Sequence, residues 1–289
     1  MQFFKYHALG NDYIVLNPAD VGSQLTSSQI QLICHRNYGV GSDGILFGPF
    51  ESSDCDFAVR IFNPDGSEAE KSGNGLRIFS RYLWDRELVH ERPFTILTAG
   101  GKVTSRVHKG GKKVTVDMGR VSFDSRQVPV EGSPREVINE PIVVDGQELR
   151  FCAATIGNPH CVILRDEISA GEAQKWGPLI ERDHRFPNRT NVQFMKVLDR
   201  ANIQIEIWER GAGYTLASGS SSSAAAAVAY RLGLCDSHIA VHMPGGKIEI
   251  TVSSGFSVSM TGPVTRVADG TISDEMFNQT PQSSAGREP

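Results

Sequence analysis

The chain has 289 residues, of which 39% are hydrophobic and 21% charged, and its formal net charge is −4. This composition is typical of a globular protein with one large domain or two of ordinary size, and the charge gives no electrostatic support for a nucleic-acid partner. No apolar run is long enough to cross a bilayer and no signal peptide opens the chain, so we expect a cytoplasmic protein without a membrane partner. The five cysteines are scattered and His, Cys, Asp and Glu show no ligand spacing, so the sequence predicts neither a disulfide framework nor a metal site.

The first part of the chain is predicted to consist of short strands and two helices. Apolar or alternating runs between turn signals predict strands at 3–9, 13–17, 57–62, 103–107 and 113–118. Thr26 or Ser27 could cap a helix that ends at Cys34. Apolar residues at close to helical spacing predict a second helix over 75–88.

The second part repeats this organisation. A surface helix is expected over 170–181, and an alanine-rich helix over 221–234 should pack closely on all sides because its side chains are small. Strands are predicted at 142–144, 149–155, 161–164, 192–197, 203–208, 239–242, 247–252 and 256–260.

Together these elements predict an α+β fold in two halves, each with many antiparallel strands and one prominent buried helix. We place the first half at 1–120, the second at 121–261, and expect 262–278 to return to the first half. The crossover falls in 121–134, with the turn signal Asp145-Gly146 as a second possible boundary. The polar tail 279–289 is expected to be disordered.

A serine followed by glycine precedes each of the two predicted buried helices. Ser72-Gly73-Asn74-Gly75 and Ser218-Gly219-Ser220 would both present free backbone N–H groups and a positive dipole end, an arrangement that binds carboxylates. Taken singly, each is an ordinary serine N-cap. Their repetition favours a single site in which two hydroxyls oppose each other across one reacting carbon.

Several polar residues in turn-rich contexts form a plausible recognition set for an amino acid. Arginine suits its carboxylate, whereas glutamate and asparagine suit its ammonium group. His160 could orient a group or carry a proton, although a lone histidine is more often structural. The asparagines could equally hold turns. The set comprises Asn11, Asn63, Asn74, Asn158, Asn191, Glu209 and Arg210.

The ordered motifs resemble those of diaminopimelate epimerases, cofactor-independent enzymes of lysine and peptidoglycan synthesis. The motifs are FFKYHALGND at 3–12, GVGSDG at 39–44, the segment 63–75, GNPH at 157–160, FPNRTNV at 186–192 and ERGAG at 209–213. The resemblance implies two pseudo-symmetric αβ domains, each with a mixed, largely antiparallel sheet wrapped around a central helix. It places a small amino-acid ligand in the cleft between them, and it suggests a possible homodimer.

The resemblance also implies roles for individual residues. Substrate contacts would come from Asn11, Asn63, Asn158, Asn191, Glu209 and Arg210, with backbone contacts at Gly73, Asn74, Gly219 and Ser220. In that family two cysteines flank the α-carbon, one thiolate removing the proton and one thiol returning it. The matching positions here are Ser72 and Ser218. A helix N-terminus can turn a cysteine into a thiolate, whereas a serine needs an adjacent base.

We therefore expect an amino-acid epimerase, with LL- to meso-diaminopimelate epimerisation in lysine biosynthesis as the leading reaction and no cofactor. Ser72, Ser218, His160 and Glu209 are the catalytic candidates, and Lys71 and Tyr214 remain alternative proton carriers. Tyr214 and Ser220-Ser221 depart from the family's usual glutamate and Thr-Gly. Three alternatives stay open: an isomerase or dehydratase of the same fold that uses no thiol pair, a non-catalytic amino-acid-binding paralogue, and engineered replacement of the cysteines.

Overall fold

The computed structural model describes residues 1–21 and 24–278. In this part of the chain, eighteen strands form one continuous hydrogen-bonded sheet. The predicted tail at 279–289 lies outside the described residues.

The first half of the molecule contains two longer helices among nine strands and one short helix. Its helices are α1 (Pro18–Val21), α2 (Ser27–Cys34) and α3 (Gly73–Asp85). Its strands are β1 (Gln2–Ala8), β2 (Asn11–Leu16), β3 (Ile45–Phe50), β4 (Phe57–Phe62), β5 (Glu68–Ala69), β6 (Phe94–Thr98), β7 (Gly101–His108) and β8 (Lys113–Arg120), joined by the late strand β18 (Thr265–Thr271).

The second half repeats that order of elements. Its helices are α4 (Ala170–Glu181) and α5 (Gly219–Arg231). Its strands are β9 (Glu140–Val144), β10 (Gln147–Thr155), β11 (Pro159–Leu164), β12 (Asn191–Asp199), β13 (Asn202–Glu209), β14 (Gly213–Thr215), β15 (His238–Met243), β16 (Gly246–Val252) and β17 (Ser257–Pro263). A short 3-10 turn, Asp274–Asn278, follows β18.

The strand pairings make the two halves equivalent. β2 pairs parallel to β3 and β4 parallel to β6, and the same relations hold for β11 with β12 and β13 with β15. The remaining pairings are antiparallel, and β8 joins the halves by pairing with β17. The predicted fold class, two α+β halves with a mixed and largely antiparallel sheet, is confirmed.

Each half wraps its strands around one central helix. Helix α3 packs against β1, β2, β7 and β8, and α5 packs against strands from β10 to β17. In α5 the alanines Ala224, Ala225, Ala226 and Ala227 have no exposed surface. Small side chains allow the strands to approach this helix from every side, and alanine also favours the helical state.

The turn signal Asp145-Gly146 lies within the second half. β9 and β10 form a hairpin whose two turn residues, Asp145 and Gly146, both have positive φ, as a tight two-residue turn requires. The alternative boundary at Asp145-Gly146 therefore falls inside a hairpin. β18 pairs with β1, and β17 pairs with both β16 and β8. The residue bounds proposed for the two domains stay a prediction.

Candidate active site

The N-termini of α3 and α5 meet at the centre of the molecule. Ser72 caps α3, with its Oγ accepting from the Gly75 N–H at 3.0 Å, and Ser218 caps α5, with its Oγ accepting from the Ser221 N–H at 3.4 Å. A Cβ built on Gly219 would lie 3.6 Å from the Gly73 Cα. We call residues 72–75 and 218–221 the paired N-termini. Their unsatisfied N–H groups and positive dipole ends make this position attractive to an anion.

Close packing explains why glycine follows each capping serine. A Cβ on Gly73 would lie 2.7 Å from Met260 Cε, and one on Gly219 would lie 2.8 Å from Met260 Sδ. Met260 is fully buried in β17, so one methionine side chain supports both N-termini. Side chains at Gly73 and Gly219 would push the helices apart.

Ser72 contacts a tyrosine that the sequence reading did not identify. The Tyr13 hydroxyl lies 3.1 Å from Ser72 Oγ, and Tyr13 is buried at the start of β2. Burial raises the pKa of Tyr13 to about 12, so its hydroxyl stays protonated at neutral pH. The only signal in the sequence is its position directly after Asn11-Asp12, because an aromatic residue in a strand otherwise indicates core packing.

Ser218 lies beside a carboxyl group. Glu209, the last residue of β13, is partly buried, and burial raises the pKa of its carboxyl while the nearby Ser218 and Thr215 side chains oppose that rise. A carboxylate next to a serine hydroxyl is the adjacent base that a serine needs in order to accept a proton from carbon. The structure thus brings together three of the four predicted catalytic residues: Ser72, Ser218 and Glu209.

His160 lies behind the site, where it contacts the side chain of Asn158. It has no exposed surface, and its Nε2 lies 3.0 Å from Asn158 Oδ1. Burial lowers the pKa of His160 to about 3, so the ring is neutral at physiological pH. An amide oxygen can only accept, so Nε2 carries the proton and holds the Asn158 side chain in place. These contacts favour a positioning role over proton transfer.

Two asparagines occupy equivalent places in the two halves. Asn11 follows β1 and its Oδ1 accepts from Asn74 Nδ2 at 3.0 Å, in the first turn of α3. Asn158 follows β10 and its Nδ2 lies 3.4 Å from Ser220 Oγ, in the first turn of α5. Asn11 and Asn158 therefore flank the paired N-termini.

Other predicted recognition residues make hydrogen bonds to neighbouring protein groups. Asn191 donates to the Pro159 carbonyl at 2.8 Å and accepts from the Arg210 N–H at 3.0 Å, which fixes Arg210 relative to β11. The Arg210 side chain is exposed and donates to the Asn188 carbonyl. Asn63 donates to Ser67 Oγ at 3.0 Å within its own turn.

The side chains of the two alternative proton carriers, Tyr214 and Lys71, bond to groups outside the paired N-termini. Tyr214 pairs with Trp208 across the β13–β14 hairpin, and its hydroxyl donates to Glu206 at 2.7 Å, on the face opposite Glu209. Lys71 donates to the Met118 carbonyl at 2.7 Å. These contacts turn the Tyr214 hydroxyl away from Glu209 and engage the amine of Lys71, and both residues stay predicted alternatives as proton carriers.

Residues 1–21 and 24–278 contain no group of three or more His, Cys, Asp or Glu side chains that could hold a metal ion. Within the same ranges, no helix is both long and apolar enough to span a membrane.

The protein therefore has two α+β halves whose central helices face each other, each with a serine hydroxyl at its N-terminus. The family model described as diaminopimelate epimerase matches residues 3–123 and 152–267. This chain belongs to the diaminopimelate epimerase family.

Comparisons with individual proteins agree with this assignment. The chain is 65% identical over 277 residues to diaminopimelate epimerase 2 of Nostoc sp., covering 96% of this chain and 97% of that protein. It is 38% identical to diaminopimelate epimerase of Stutzerimonas stutzeri, covering 94% and 99%. A solved hydroxyproline epimerase from Agrobacterium vitis, with bound trans-4-hydroxy-L-proline, shares the fold with a TM-score of 0.66, 16% identity, and coverage of 94% and 90%.

Proposed function

We propose that this protein is a cofactor-independent amino-acid epimerase that converts LL- to meso-diaminopimelate in lysine biosynthesis, in the cytoplasm. Family membership and the 65% identical relative named diaminopimelate epimerase 2 support the substrate. The observation that carries the proposal is the meeting of the paired N-termini, with Ser72 and Ser218 as their caps. The expected partner is the small amino-acid substrate, and a homodimer stays a prediction.

In this proposal the paired N-termini bind the substrate α-carboxylate. Backbone N–H groups at Gly73, Asn74, Gly219 and Ser220 would donate to its two oxygens. When the α-carbon loses its proton, negative charge develops on that carboxylate, and donors already in place stabilise it without rearrangement. The α-carbon would then lie between Ser72 and Ser218.

We also propose which groups carry the proton, because serines stand where the family resemblance implies thiols. On the α5 side, the α-C–H bond breaks as its proton passes to Ser218 Oγ while the Ser218 proton passes to the Glu209 carboxylate. On the α3 side, the Ser72 hydroxyl gives its proton to the α-carbon and regains one from the Tyr13 hydroxyl. Exchange with solvent then restores neutral Tyr13 and ionised Glu209.

The remaining polar residues would recognise the rest of the substrate. Asn11 and Asn158 flank the paired N-termini and are suited to the groups near the α-carbon. Asn63, Asn191 and Arg210 would engage the distal amino-acid group, with the exposed Arg210 guanidinium turning from Asn188 to a carboxylate. His160 would hold Asn158 rather than move a proton.

Deuterium incorporation tests the reaction directly. The protein is incubated with LL-diaminopimelate in deuterated water, and NMR follows the loss of the α-proton signal together with formation of the meso isomer. We expect both to occur at the same rate. Absence of α-deuterium in every stereoisomer of diaminopimelate would refute the epimerase proposal.

A paired substitution separates the role of the serines from that of the fold. The double variant Ser72→Cys, Ser218→Cys restores thiols beside two helix N-termini, which lower a thiol pKa, so we expect faster exchange than in the parent. If the parent instead turned over an unsaturated acid and exchanged no α-proton of any amino acid, the isomerase or dehydratase alternative would be favoured. Tight binding without exchange in either form would favour the binding paralogue.

A further inference from the structure

Arg77 is a buried cation without a carboxylate partner. It lies in the second turn of α3 and has no exposed surface. Its NH2 donates to Asn74 Oδ1 at 2.8 Å and its NH1 to the weak acceptor Met260 Sδ at 3.0 Å. Its Nε has no hydrogen-bond partner, and the described residues form no salt bridge with it.

An unpaired guanidinium costs free energy in a protein interior. A buried guanidinium normally has a paired carboxylate, because burial removes its hydration. Here burial lowers the pKa of Arg77 to about 9, yet the group still carries its charge at neutral pH. A methionine of similar length would fill the same space without that cost, so packing alone does not account for an arginine.

The position of Arg77 connects it with the paired N-termini. Met260, which accepts from its NH1, is the side chain closest to a Cβ on either Gly73 or Gly219. Asn74, which accepts from its NH2, donates in turn to Asn11. The guanidinium therefore lies one side chain behind the anion position and fixes the orientation of the Asn74 amide.

The second half has no equivalent charge. Counting from each capping serine, the position of Arg77 in α3 corresponds to Ser223 in α5, whose hydroxyl donates to the Gly219 carbonyl at 2.8 Å. The site therefore has two similar helix N-termini but a full positive charge on one side only.

We propose that Arg77 is the buried counter-charge for the carboxylate held between the paired N-termini, and for the negative charge that develops there when the α-proton leaves. Its role is electrostatic and positioning, through Met260 and Asn74, because it does not line the surface that the ligand would touch. The identity of the ligand rests on the proposed function. An opposite charge one side chain away in a low-dielectric interior is worth roughly tenfold in affinity.

Three variants test this role. Arg77→Met removes the charge and keeps the length, whereas Arg77→Lys keeps a charge. Arg81→Met is the matched control, since Arg81 lies one turn later on α3 and is already paired with Asp85 at 2.8 Å. Calorimetry with meso-diaminopimelate should give about tenfold weaker binding for Arg77→Met, a smaller change for Arg77→Lys and none for Arg81→Met. For Arg77→Met the turnover number should also fall, beyond the effect on binding.

Thermal unfolding distinguishes this role from a merely structural one. A buried unpaired charge destabilises the free protein, so free Arg77→Met should melt at the same or a higher temperature than the parent. A lower melting temperature with unchanged ligand affinity would overturn the proposal and make Arg77 a structural cross-link.

A second probe decides the question even when diaminopimelate proves not to be the substrate. Sodium acetate supplies an isolated carboxylate, and sodium chloride at equal ionic strength is its control. We expect acetate to raise the melting temperature of the parent and of Arg77→Lys more than chloride does, and to lose that advantage in Arg77→Met. Equal protection of all three proteins, or no protection of the parent, would refute the role of Arg77 independently of the epimerase test.

Discussion

Gly219 lies so close to Gly73 that a Cβ on Gly219 would reach within 3.6 Å of the Gly73 Cα. This contact joins the first residues of two central helices that belong to different halves of the chain. Any ligand bound by both helices must therefore be small, with its anionic group held where the two sets of N–H groups converge.

Replacing Gly219 with alanine should damage the site more than the fold. The new methyl group would lie 2.8 Å from Sδ of Met260, a flexible but fully buried side chain, so we expect a destabilisation of about 1–3 kcal/mol. The same methyl group would separate the paired N-termini, so α-proton exchange should fall at least about tenfold. Gly171→Ala in the first turn of α4, where a Cβ meets only Ser169 Oγ at 4.0 Å, is the control and should leave exchange unchanged. Normal exchange in Gly219→Ala would contradict the anion site.

Removing the capping serines separates capping from catalysis. Ser72→Ala and Ser218→Ala each lose an N-cap hydrogen bond, which typically costs about 1 kcal/mol of stability. Ser169→Ala loses the equivalent cap of α4 at a remote site and should cost a similar amount. Chemical denaturation should give comparable losses for all three variants, whereas α-proton exchange should fail only in the first two. Equal activity in all three would assign Ser72 and Ser218 to capping alone.

Several elements that carry clear local signals were predictable from the sequence, whereas some that distant pairing defines were not. Helix α4 occupies the predicted range Ala170–Glu181, and α2 begins after Thr26 with a reciprocal Thr26–Gln29 capping box. Strand β3 contains Gly48-Pro49, which breaks the usual strand pattern, and β18 is almost entirely exposed and lacks alternation. Both were missed because their pairing with distant strands, and not their own sequence, defines them.

The residues of the candidate site also fall into those that the sequence identifies and those that only the structure identifies. Ser72 and Ser218 could be identified because each combines a capping serine with glycine before a helix. Tyr13 and Arg77 were missed, because a tyrosine in a strand and an arginine in a helix have ordinary roles until burial and partners are known. The contact of Tyr214 with Glu206 was not predictable, because proximity to Glu209 in sequence hides the alternation that turns the two side chains to opposite faces.

The pKa of the Glu209 carboxyl should set the acidic limb of the pH–rate profile. Burial raises its pKa above the usual range, so the carboxylate needed as base forms only at higher pH, and kcat/KM should rise with pH through that raised pKa. Because the folded state then holds the proton more tightly than the unfolded state, Glu209 should also make stability fall as pH rises through the same window. Glu209→Gln should abolish the limb and reduce turnover severely. Glu206→Gln, which changes a carboxyl on the opposite face of β13, should retain the limb, and loss of the limb in that control would exclude Glu209 as its origin.

The Tyr13 hydroxyl should matter for turnover more than for stability. Tyr13→Phe keeps the buried ring and removes a single hydrogen bond to Ser72, so the expected destabilisation is about 1 kcal/mol. If Tyr13 returns a proton to Ser72, the turnover number should fall at least about tenfold while KM changes little, because the hydroxyl acts in the reacting state. Tyr6→Phe removes another buried tyrosine hydroxyl, one that donates to Asp85 away from the site, and should leave turnover unchanged. An unaltered turnover number in Tyr13→Phe would restrict Tyr13 to packing.

His160 should affect acid stability and substrate binding without carrying a catalytic proton. Burial lowers its pKa to about 3, whereas the unfolded chain takes up the proton near the ordinary value of about 6.5. The unfolded state therefore binds more protons between these values, and stability should be lost as pH falls through this window, by a few kcal/mol in all. Proton NMR of the imidazole should show no titration between about pH 5 and 8. His160→Gln should reduce the acid sensitivity and raise KM by releasing Asn158, whereas His184→Gln, at a side chain that is 81% exposed, should do neither. A histidine titration near pH 6.5 that also governs kcat and disappears in His160→Gln would return His160 to the set of proton carriers.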